Sequence, residues 1–310
     1  MDTVLHSSTV AVGFDGSANA QRAARWAAAE ANARALPLVI VHAVHPYVAT
    51  AAYGWQPAAA LGDARIAEEA RSVVEPVVAD LVRANPDLDI STRFPQEEPA
   101  HAIHSVADEL NAELVVIGSS GRGALPRVVL GSTAADLVRI SERPIVVVRG
   151  DTERQADDSG VLLGFDGTAS SRHILAYAFE YAARHGTPLR AVHGLPGHWA
   201  EQMLPRAGSP PESADNPREA TVEALGKHLD EWRDRYPGVR ADLEVVESTA
   251  ARALLERTSQ ATVVVVGSHR HGVARRVLLG SVSHAMLYHA DCPVAVIPVP
   301  ENDEAAKADS

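Results

Sequence analysis

Residues 10–17 read VAVGFDGS, and residues 161–168 read VLLGFDGT. In each stretch a short apolar run, typical of a buried β-strand, ends in the turn Gly-Phe-Asp-Gly-Ser/Thr. The two stretches are spaced by 151 residues, and a later match, Leu-Gly-Ser at 130–132 and 279–281, is spaced by 149. Because the order and spacing of the matches are kept, we interpret the chain as two copies of one domain. The period is far too long for a solenoid.

The repeat sets the predicted domain boundaries within the 310 residues of the chain. We place the first domain at residues 1–149 and the second at residues 160–299. Residues 150–159 are polar and acidic without apolar periodicity, which is typical of a linker. Residues 300–310 are again acidic, and we expect them to form a flexible tail.

Apolar runs and amphipathic stretches alternate along each copy. In the first copy, strands are predicted at residues 9–14, 38–44, 89–94, 114–118 and 145–149, and helices at residues 20–35, 61–84, 99–111 and 132–141. The run at 114–118 is apolar almost throughout, as expected of a strand buried on both faces of a parallel sheet. The alternation predicts an α/β fold with a doubly wound parallel sheet in each copy.

Composition excludes several classes of protein. Hydrophobic residues make up 46% and charged residues 22%, so the chain is neither disordered nor fibrous. With 28 basic and 40 acidic residues the formal net charge is −12, which argues against binding nucleic acid through its phosphates. No apolar run is long enough to span a membrane, and residues 1–8 do not resemble a secretory signal. The one cysteine, Cys292, permits no internal disulfide, and together these features lead us to expect a cytoplasmic protein. We expect Cys292 itself to be buried and inert.

Glycines recur in residues 118–133, in the pattern Gly-x2-Gly-x9-Gly-Ser-Thr, between a predicted buried strand and a predicted helix. In open α/β sheets, ligands bind beyond the carboxyl ends of the strands, where this element lies. We expect Gly118 to let the chain leave the strand tightly, and Gly121 to permit a positive φ and a close approach. The backbone N–H groups at the start of the following helix favour an anion such as phosphate, to which Arg122 can add positive charge.

The element differs from the common nucleotide-binding loops. A Walker loop requires a lysine, and the only lysines of the sequence are Lys227 and Lys307. The dinucleotide-binding pattern Gly-x-Gly-x-x-Gly does not follow the first strand, where Asp15 or Asp166 stands instead. A carboxylate there would repel pyrophosphate but can accept hydrogen bonds from ribose hydroxyls. The alternatives are an ordinary turn with Ser132 as a helix cap, and Asp15 as the cap of the first helix.

In combination, the aspartate after the first strand, the glycine element and the valine-rich last strand resemble the universal stress protein family, over both copies nearly end to end. The resemblance implies two tandem flavodoxin-like (adenine nucleotide alpha hydrolase-like) domains, each with a doubly wound five-stranded parallel sheet. It also implies a nucleotide-dependent regulator of stress response or growth with one ATP site in each domain and Mg²⁺ as a candidate companion. Pairing through the last strands implies a homodimer and intramolecular pairing of the two domains. A regulatory protein partner is implied without an identity.

The resemblance assigns ATP-binding positions in both copies. In the first copy they are Asp15, Val41, Gly118, Gly121, Arg122, Gly131, Ser132 and Thr133. In the second copy they are Asp166, Val192, Gly267, Arg270, Gly280, Ser281 and Val282. Arg270 departs from the pattern because it stands where the first copy has Gly121. A positive φ there would cost about 1 kcal/mol in strain, and the side chain either occludes the pocket or binds phosphate. We therefore predict weaker or altered nucleotide binding in the second copy.

Two other functions remain open. One is a slow ATPase or phosphoryl-transfer enzyme, which needs a metal held by Asp15 or Asp166 and a positioned water. The glycine element contains no lysine and no evident second carboxylate, which favours binding over turnover. The other is an oligomerisation module with empty pockets. His101 and His104 have a helical spacing suited to a metal, although a solvated helix face is the more common reason for it. Whether a metal binds stays open at this point.

Overall fold

A computed structural model describes residues 8–44, 63–121, 130–150, 160–168, 171–195, 217–270 and 277–299 of the chain. Its contacts divide the chain into two compact units, Met1–Val148 and Arg149–Ser310. Within the described ranges, no helix combines the length and the apolar character that crossing a membrane requires.

The first unit is a parallel five-stranded sheet covered by helices. Its elements, in chain order, are β1 (Thr9–Gly13), α1 (Ala18–Arg34), β2 (Leu38–Val41), α2 (Asp63–Ala84), β3 (Ile90–Arg93), α3 (Pro99–Glu109), β4 (Ala112–Gly118), α4 (Ser132–Ile140) and β5 (Ile145–Val148). The strands are ordered β3-β2-β1-β4-β5, and every neighbouring pair is parallel. Between β1 and β4 the strand order reverses, because the chain proceeds from β1 to β2 on one side and returns to β4 on the other. Ligand-binding crevices of open α/β sheets lie at such switch points.

The second unit repeats this plan with one addition. Its elements are β6 (Gly160–Gly164), α5 (Ser171–His185), β7 (Leu189–Gly194), α6 (Pro217–Arg235), β8 (Ala241–Val246), α7 (Ala250–Leu255), a 3₁₀ turn (Thr258–Gln260), β9 (Ala261–Arg270), β10 (Val277–Leu278), α8 (Ser281–His289) and β11 (Val294–Val299). The parallel strands are ordered β8-β7-β6-β9-β11, so the switch point lies between β6 and β9. The short β10 pairs with β9 in the antiparallel direction. The predicted fold class, a doubly wound five-stranded parallel sheet in each copy, is confirmed.

The cores of the sheets follow from the apolar runs of the sequence. Every residue of β1, β2 and β5 is buried, as in strands that are covered on both faces. Helix α1 packs on the sheet through alanines that are at most 4% exposed: Ala20, Ala23, Ala24, Ala27, Ala28 and Ala31. Because the alanine side chain is short, α1 lies close to the sheet, and this proximity limits which residues the adjoining loops can carry.

Predicted and observed elements differ mainly at their ends. The strand predicted at residues 38–44 forms a regular ladder only over Leu38–Val41. The larger difference concerns the second copy, where β9 has ten residues and continues to Arg270, while β4 has seven and ends at Gly118. The pairing of β9 with β10 is not predicted by the sequence, since a two-residue strand carries no periodicity.

Candidate functional site

Asp15 lies two residues beyond the carboxyl end of β1. Its Oδ1 accepts a hydrogen bond of 2.9 Å from the backbone N–H of Ser17, and Gly16 makes the turn between them with a φ of 82°. The hydroxyl of Ser17 accepts from the N–H of Ala20 at 3.1 Å, as an N-cap does. Ser17 therefore caps α1, and the alternative role of Asp15 as that cap is wrong.

Gly121 is the residue that the Asp15 carboxylate faces. A Cβ atom built at Gly121 would lie 2.5 Å from Asp15 Oδ2, closer than real contacts of that kind. The φ of Gly121 is outside the left-handed region, unlike that of Gly16, so the expected positive φ is wrong. A side chain at position 121 would displace the Asp15 carboxylate from its observed position, so glycine there keeps that orientation.

Gly118, the last residue of β4, contacts the first turn of α1. A Cβ atom there would lie 2.9 Å from the carbonyl carbon of Asn19 and 3.1 Å from the nitrogen of Ala20. The glycine thus allows helix and strand to pack closely, which is a different reason from the tight strand exit that we expected. Asn19 also ties the following loop to the helix, because its Nδ2 donates to the carbonyl of Ser120 at 2.9 Å.

The residue before α4 is hydrogen-bonded to the segment that follows β4. The N–H of Gly131 donates to the carbonyl of Ser119 at 2.8 Å, and a Cβ at Gly131 would lie 3.3 Å from Ser120 Cα. Gly131 is the N-cap of α4 and makes no side-chain capping bond, so the alternative role of Ser132 as the cap is wrong. Exposed Ser132 and half-buried Thr133 are the first helical residues. Their N–H groups and hydroxyls form a donor set at a helix N-terminus, an arrangement that favours an anion.

The end of β2 contributes backbone groups to the same crevice. Val41 is buried, and its carbonyl accepts the N–H of Phe14 at 2.9 Å, so this group is engaged within the sheet. The N–H groups of His42 and Val44 donate toward the β3 side at 2.9 Å each. Because successive residues of a strand direct their backbone N–H and carbonyl groups to opposite sides, those of Ala43 are directed toward the β1 side. Strand β1 has already ended at that level. Ala43 is a better candidate than Val41 to contact a ligand, and the alternation of residues 38–44 is the signal that could have predicted it.

Most of the predicted first-copy positions lie along one edge of the sheet. They occupy the carboxyl ends of β1 and β4 and the amino end of α4: Asp15, Gly118, Gly121, Gly131, Ser132 and Thr133. Arg122 lies outside the described residues. The edge accepts hydrogen bonds at a carboxylate and donates them at a helix start. It therefore suits a ligand with hydroxyls in one part and an anionic group in another.

The second copy holds its aspartate differently. Asp166 Oδ1 accepts hydrogen bonds from the N–H of Thr168 (3.0 Å), the hydroxyl of Thr168 (2.9 Å) and the hydroxyl of Ser171 (2.5 Å). Asp166 is exposed, whereas Asp15 is half-buried. Ser171 stands where the first copy has Ala20, 151 residues earlier. Asp166 is therefore held by its own turn and by the first residue of α5, and the change from alanine to serine is the sequence signal that could have predicted it.

The segment after Gly267 also differs from its first-copy counterpart. Strand β9 continues to Arg270 and pairs with β10, with Val277 opposite Arg270. Arg270 thus lies in extended backbone, and the left-handed strain expected there does not occur. An antiparallel strand pair therefore follows Gly267, whereas β4 ends at Gly118.

The start of α8 keeps part of the first-copy pattern. Gly280 is its N-cap without a side-chain capping bond. Among the described residues, a Cβ at Gly280 would come no closer than 3.9 Å to a non-neighbouring atom, so this glycine is less enclosed than Gly131. Ser281 is exposed, and Val282 replaces the hydroxyl-bearing Thr133. The donor set at this helix is smaller by one hydroxyl.

Gly267 and Val192 are explained by packing within the second unit. A Cβ at Gly267 would lie 2.5 Å from Ile174 Cδ1, so the glycine admits the side chain of α5. The buried Val192 accepts the N–H of Phe165 at its carbonyl, at 3.1 Å, as Val41 does in the first copy. Packing of α5 on the sheet accounts for Gly267, and the sheet ladder accounts for Val192.

Helix α3 carries the histidine pair with metal-like spacing. Over the described part of the chain, no group of three or more His, Cys, Asp or Glu side chains converges as a metal site would. His104 Nε2 lies 3.4 Å from Asp108 Oδ2, and Asp108 Oδ1 accepts a 2.9 Å hydrogen bond from Arg143 Nε. His101 is exposed. Contacts with Asp108 at the protein surface account for the position of His104.

Cys292 is buried two residues before β11, as predicted. Burial raises the pKa of its thiol to about 12. Because the thiolate is the reactive form of cysteine, a thiol with so high a pKa is a poor nucleophile, in agreement with an inert role.

The fold defines a tandem α/β protein whose two units differ beyond the carboxyl ends of their strands. A family model described as "Universal stress protein family" matches residues 7–149 and 160–298. A universal stress protein of Mycolicibacterium smegmatis is 36% identical over 294 residues, which cover 93% of this chain and 96% of the relative. One of Mycobacterium tuberculosis has the same identity and coverage.

The solved structures agree in fold. The crystal structure of a universal stress protein from Archaeoglobus fulgidus, 17% identical, superposes with a TM-score of 0.68 over 94% of this chain and 98% of its own. The chain therefore belongs to the universal stress protein family, with two family domains in tandem.

Proposed function

We propose that the first unit binds an adenine nucleotide such as ATP, and that the chain is a cytoplasmic, nucleotide-dependent regulator of stress response or growth. The observation that carries the proposal is a carboxylate next to a helix N-terminus, at the switch point between β1 and β4. Asp15 supplies the acceptor, and the start of α4 supplies the donors. A nucleotide has matching groups, since its ribose hydroxyls adjoin an anionic phosphate chain.

Each part of the nucleotide has a candidate contact in the first unit. The Asp15 carboxylate accepts hydrogen bonds from the ribose hydroxyls, and such charge-assisted bonds are strong. The N–H groups and hydroxyls of Ser132 and Thr133 donate to the phosphates. The backbone of Ala43 suits the edge of the adenine ring, which both donates and accepts. Gly121 keeps the space beside Asp15 clear of a side chain.

The second unit is expected to bind nucleotide more weakly. Ribose hydroxyls would compete with Thr168 and Ser171 for the carboxylate of Asp166. Val282 offers no hydroxyl where the first copy has Thr133. Strand β9 continues through Arg270, the position that corresponds to Gly121, and pairs with β10. Arg270 stays a candidate phosphate contact in this weaker site.

The proposal includes Mg²⁺ as a candidate companion of the phosphates. Mg²⁺ is usually held by one or two carboxylates together with substrate phosphates, and Asp15 is the carboxylate of the first site that would serve, in competition with its proposed contact to the ribose. Its charge would neutralise the phosphate chain. Turnover needs a positioned water and further groups to activate it, and the predicted first-site positions include neither a lysine nor a second carboxylate. The site therefore favours binding over a slow ATPase or phosphoryl transfer.

A homodimer and a regulatory protein partner belong to the same proposal and are supported by the family resemblance. Apolar strands at a sheet edge need a partner, which is the physical reason to expect pairing through the last strands. Sedimentation equilibrium of the purified chain checks the dimer. A mass of 32.9 kDa, that of one chain, would contradict it.

Release of bound ligand tests nucleotide binding. The purified protein is denatured, and the supernatant is separated by chromatography against adenine nucleotide standards. We expect an adenine nucleotide from the wild type and much less from Asp15→Asn. If no nucleotide is released and added ATP does not bind, the pockets are empty and the oligomerisation module is favoured. Steady formation of ADP that is lost in Asp15→Asn would favour the enzyme.

A further inference from the structure

We propose that His42 is a positioning residue for nucleotide binding, because its imidazole fixes the peptide that leads into Asp15. The proposal rests on the proposed function, since its effect is measured as nucleotide affinity. His42 directly follows β2, and its Nδ1 lies 2.8 Å from the carbonyl oxygen of Phe14. Phe14 directly precedes Asp15 in the chain.

The chemistry of this contact determines the tautomer of His42. A carbonyl oxygen only accepts hydrogen bonds, so Nδ1 must carry the hydrogen and donate it. The N–H of Phe14 is held as well, because it donates to the carbonyl of Val41 at 2.9 Å. Both backbone polar groups of Phe14 are thus bound to the end of β2. The direction in which the chain enters Asp15 is fixed from that side.

The imidazole itself is held in place. The backbone N–H of half-buried His42 donates to the carbonyl of Arg93 at 2.9 Å. The His42 ring meets the ring of Phe94 nearly edge-on, with centroids 6.5 Å apart and an interplanar angle of 73°. A side chain that is already restrained loses little further entropy when it binds the Phe14 carbonyl. His42 can therefore hold the peptide in position.

Small movements matter at this position because the Asp15 carboxylate has a defined orientation. Its Oδ1 accepts a hydrogen bond from the N–H of Ser17 at 2.9 Å, and its Oδ2 faces Gly121, where an added Cβ would come within 2.5 Å. If the Phe14 carbonyl lost its donor, the peptide between Phe14 and Asp15 could rotate. The carboxylate would then shift relative to the donors at the start of α4.

The second copy contains the same contact in a different setting. His193 Nδ1 lies 2.8 Å from the carbonyl oxygen of Phe165, which precedes Asp166. Asp166 is also fixed by Thr168 and Ser171, so its orientation does not depend on the histidine alone. His193 is a matched control, because its replacement removes the same hydrogen bond without touching the first site.

Calorimetric titration of the full chain with ATP tests the proposal. His42→Leu removes the donor, while His42→Asn places an amide N–H at the same distance from the backbone as Nδ1. Loss of one hydrogen bond corresponds to about threefold to tenfold in an equilibrium constant, so His42→Leu should weaken ATP binding by about that factor. His42→Asn should recover most of the affinity, and His193→Leu should bind ATP as the wild type does.

Coupling to Asp15 distinguishes positioning from a general loss of stability. In an Asp15→Asn background, His42→Leu should cause little further loss, because the carboxylate that it positions is gone. Equal affinity of the wild type and His42→Leu overturns the proposal, and so do additive losses or an equal loss in His193→Leu. If His42→Leu does not fold, His42→Gln, whose donor lies one bond further out, takes its place. A wild type that does not bind ATP overturns the proposed function itself, which is a separate outcome.

Discussion

Replacement of Gly121 by alanine should weaken nucleotide binding without unfolding the protein. The added Cβ would lie 2.5 Å from Asp15 Oδ2. Favourable contacts between such atoms begin at about 3.5 Å, so the carboxylate must retreat by about 1 Å. Because Oδ2 is the end of a side chain that can rotate, and Gly121 is exposed, the fold can accommodate the change.

The expected loss of ATP affinity in Gly121→Ala follows from the proposed hydrogen bond between Asp15 and the ribose. A hydrogen bond to a charged group contributes about 1.5–3 kcal/mol, and about 1.4 kcal/mol corresponds to tenfold in a binding constant. A shift of Asp15 by about 1 Å takes its carboxylate out of hydrogen-bond range of the ribose, so ATP affinity should fall about 10- to 100-fold. Stability should be kept or rise by up to about 1 kcal/mol, since alanine at an allowed φ reduces the entropy of the unfolded chain.

Isothermal titration calorimetry measures the ATP affinity of Gly121→Ala, and urea unfolding measures its stability. Gly238→Ala is the control, since Gly238 lies outside both predicted sites and a Cβ there would meet no described non-neighbouring atom within 4 Å. The control should keep the ATP affinity of the wild type within about twofold. Wild-type affinity in Gly121→Ala would refute the reasoning, because the space at residue 121 would then have no part in orienting Asp15.

Four further predictions concern stability and reactivity. Gly118→Val should lower the free energy of unfolding in urea by about 1–3 kcal/mol, because the first turn of α1 leaves no room for a side chain. Unchanged stability would contradict the close contact between Gly118 and that turn. Cys292 should resist thiol reagents at pH 8 until the protein is denatured, because burial raises the pKa of its thiol to about 12; rapid native labelling would contradict the burial. Since that pKa lies above the ordinary thiol value of 9.0, the contribution of Cys292 to stability should be full at neutral pH and be lost as the pH rises from 9.0 toward 12. Cys292→Ala should remove this pH dependence. The hydrogen bond from Arg257 lowers the pKa of Glu244, so Glu244 should stabilise the fold at neutral pH and lose that contribution as the pH falls through its lowered pKa. Urea unfolding at a series of pH values measures this loss. If Glu244→Gln shows the same acid dependence as the wild type, the prediction is contradicted.

The sheet and its helices could be predicted because their causes are local. Strands β1 and β5 are apolar in sequence and buried throughout in the structure. The alanines of α1 recur at helical spacing and form its buried face. Such patterns need no knowledge of distant residues, and the predicted ends of the strands err by only a few positions. The β9–β10 hairpin was missed because pairing of two residues leaves no periodic trace.

The site could be predicted only in part, because its constraints join distant segments. The importance of Gly118 and Gly121 was predicted, but the reasons for glycine lie in Asn19 and Asp15, about a hundred positions earlier, and appear only when α1 packs against β4. Ala43 depends on strand alternation, which is local and could have been used. The different setting of Asp166 follows from one hydroxyl, that of Ser171, which a comparison of the two copies exposes.

Counting ATP sites in matched aspartate variants decides whether the first unit holds the nucleotide. Asp15→Asn and Asp166→Asn make the same change at equivalent turns, and calorimetry of the full chain gives the stoichiometry and affinity of each. We expect one strong site per chain, lost in Asp15→Asn and kept in Asp166→Asn. Two sites of equal affinity, or a strong site that disappears only in Asp166→Asn, would contradict the assignment of the nucleotide to the crevice between β1 and β4.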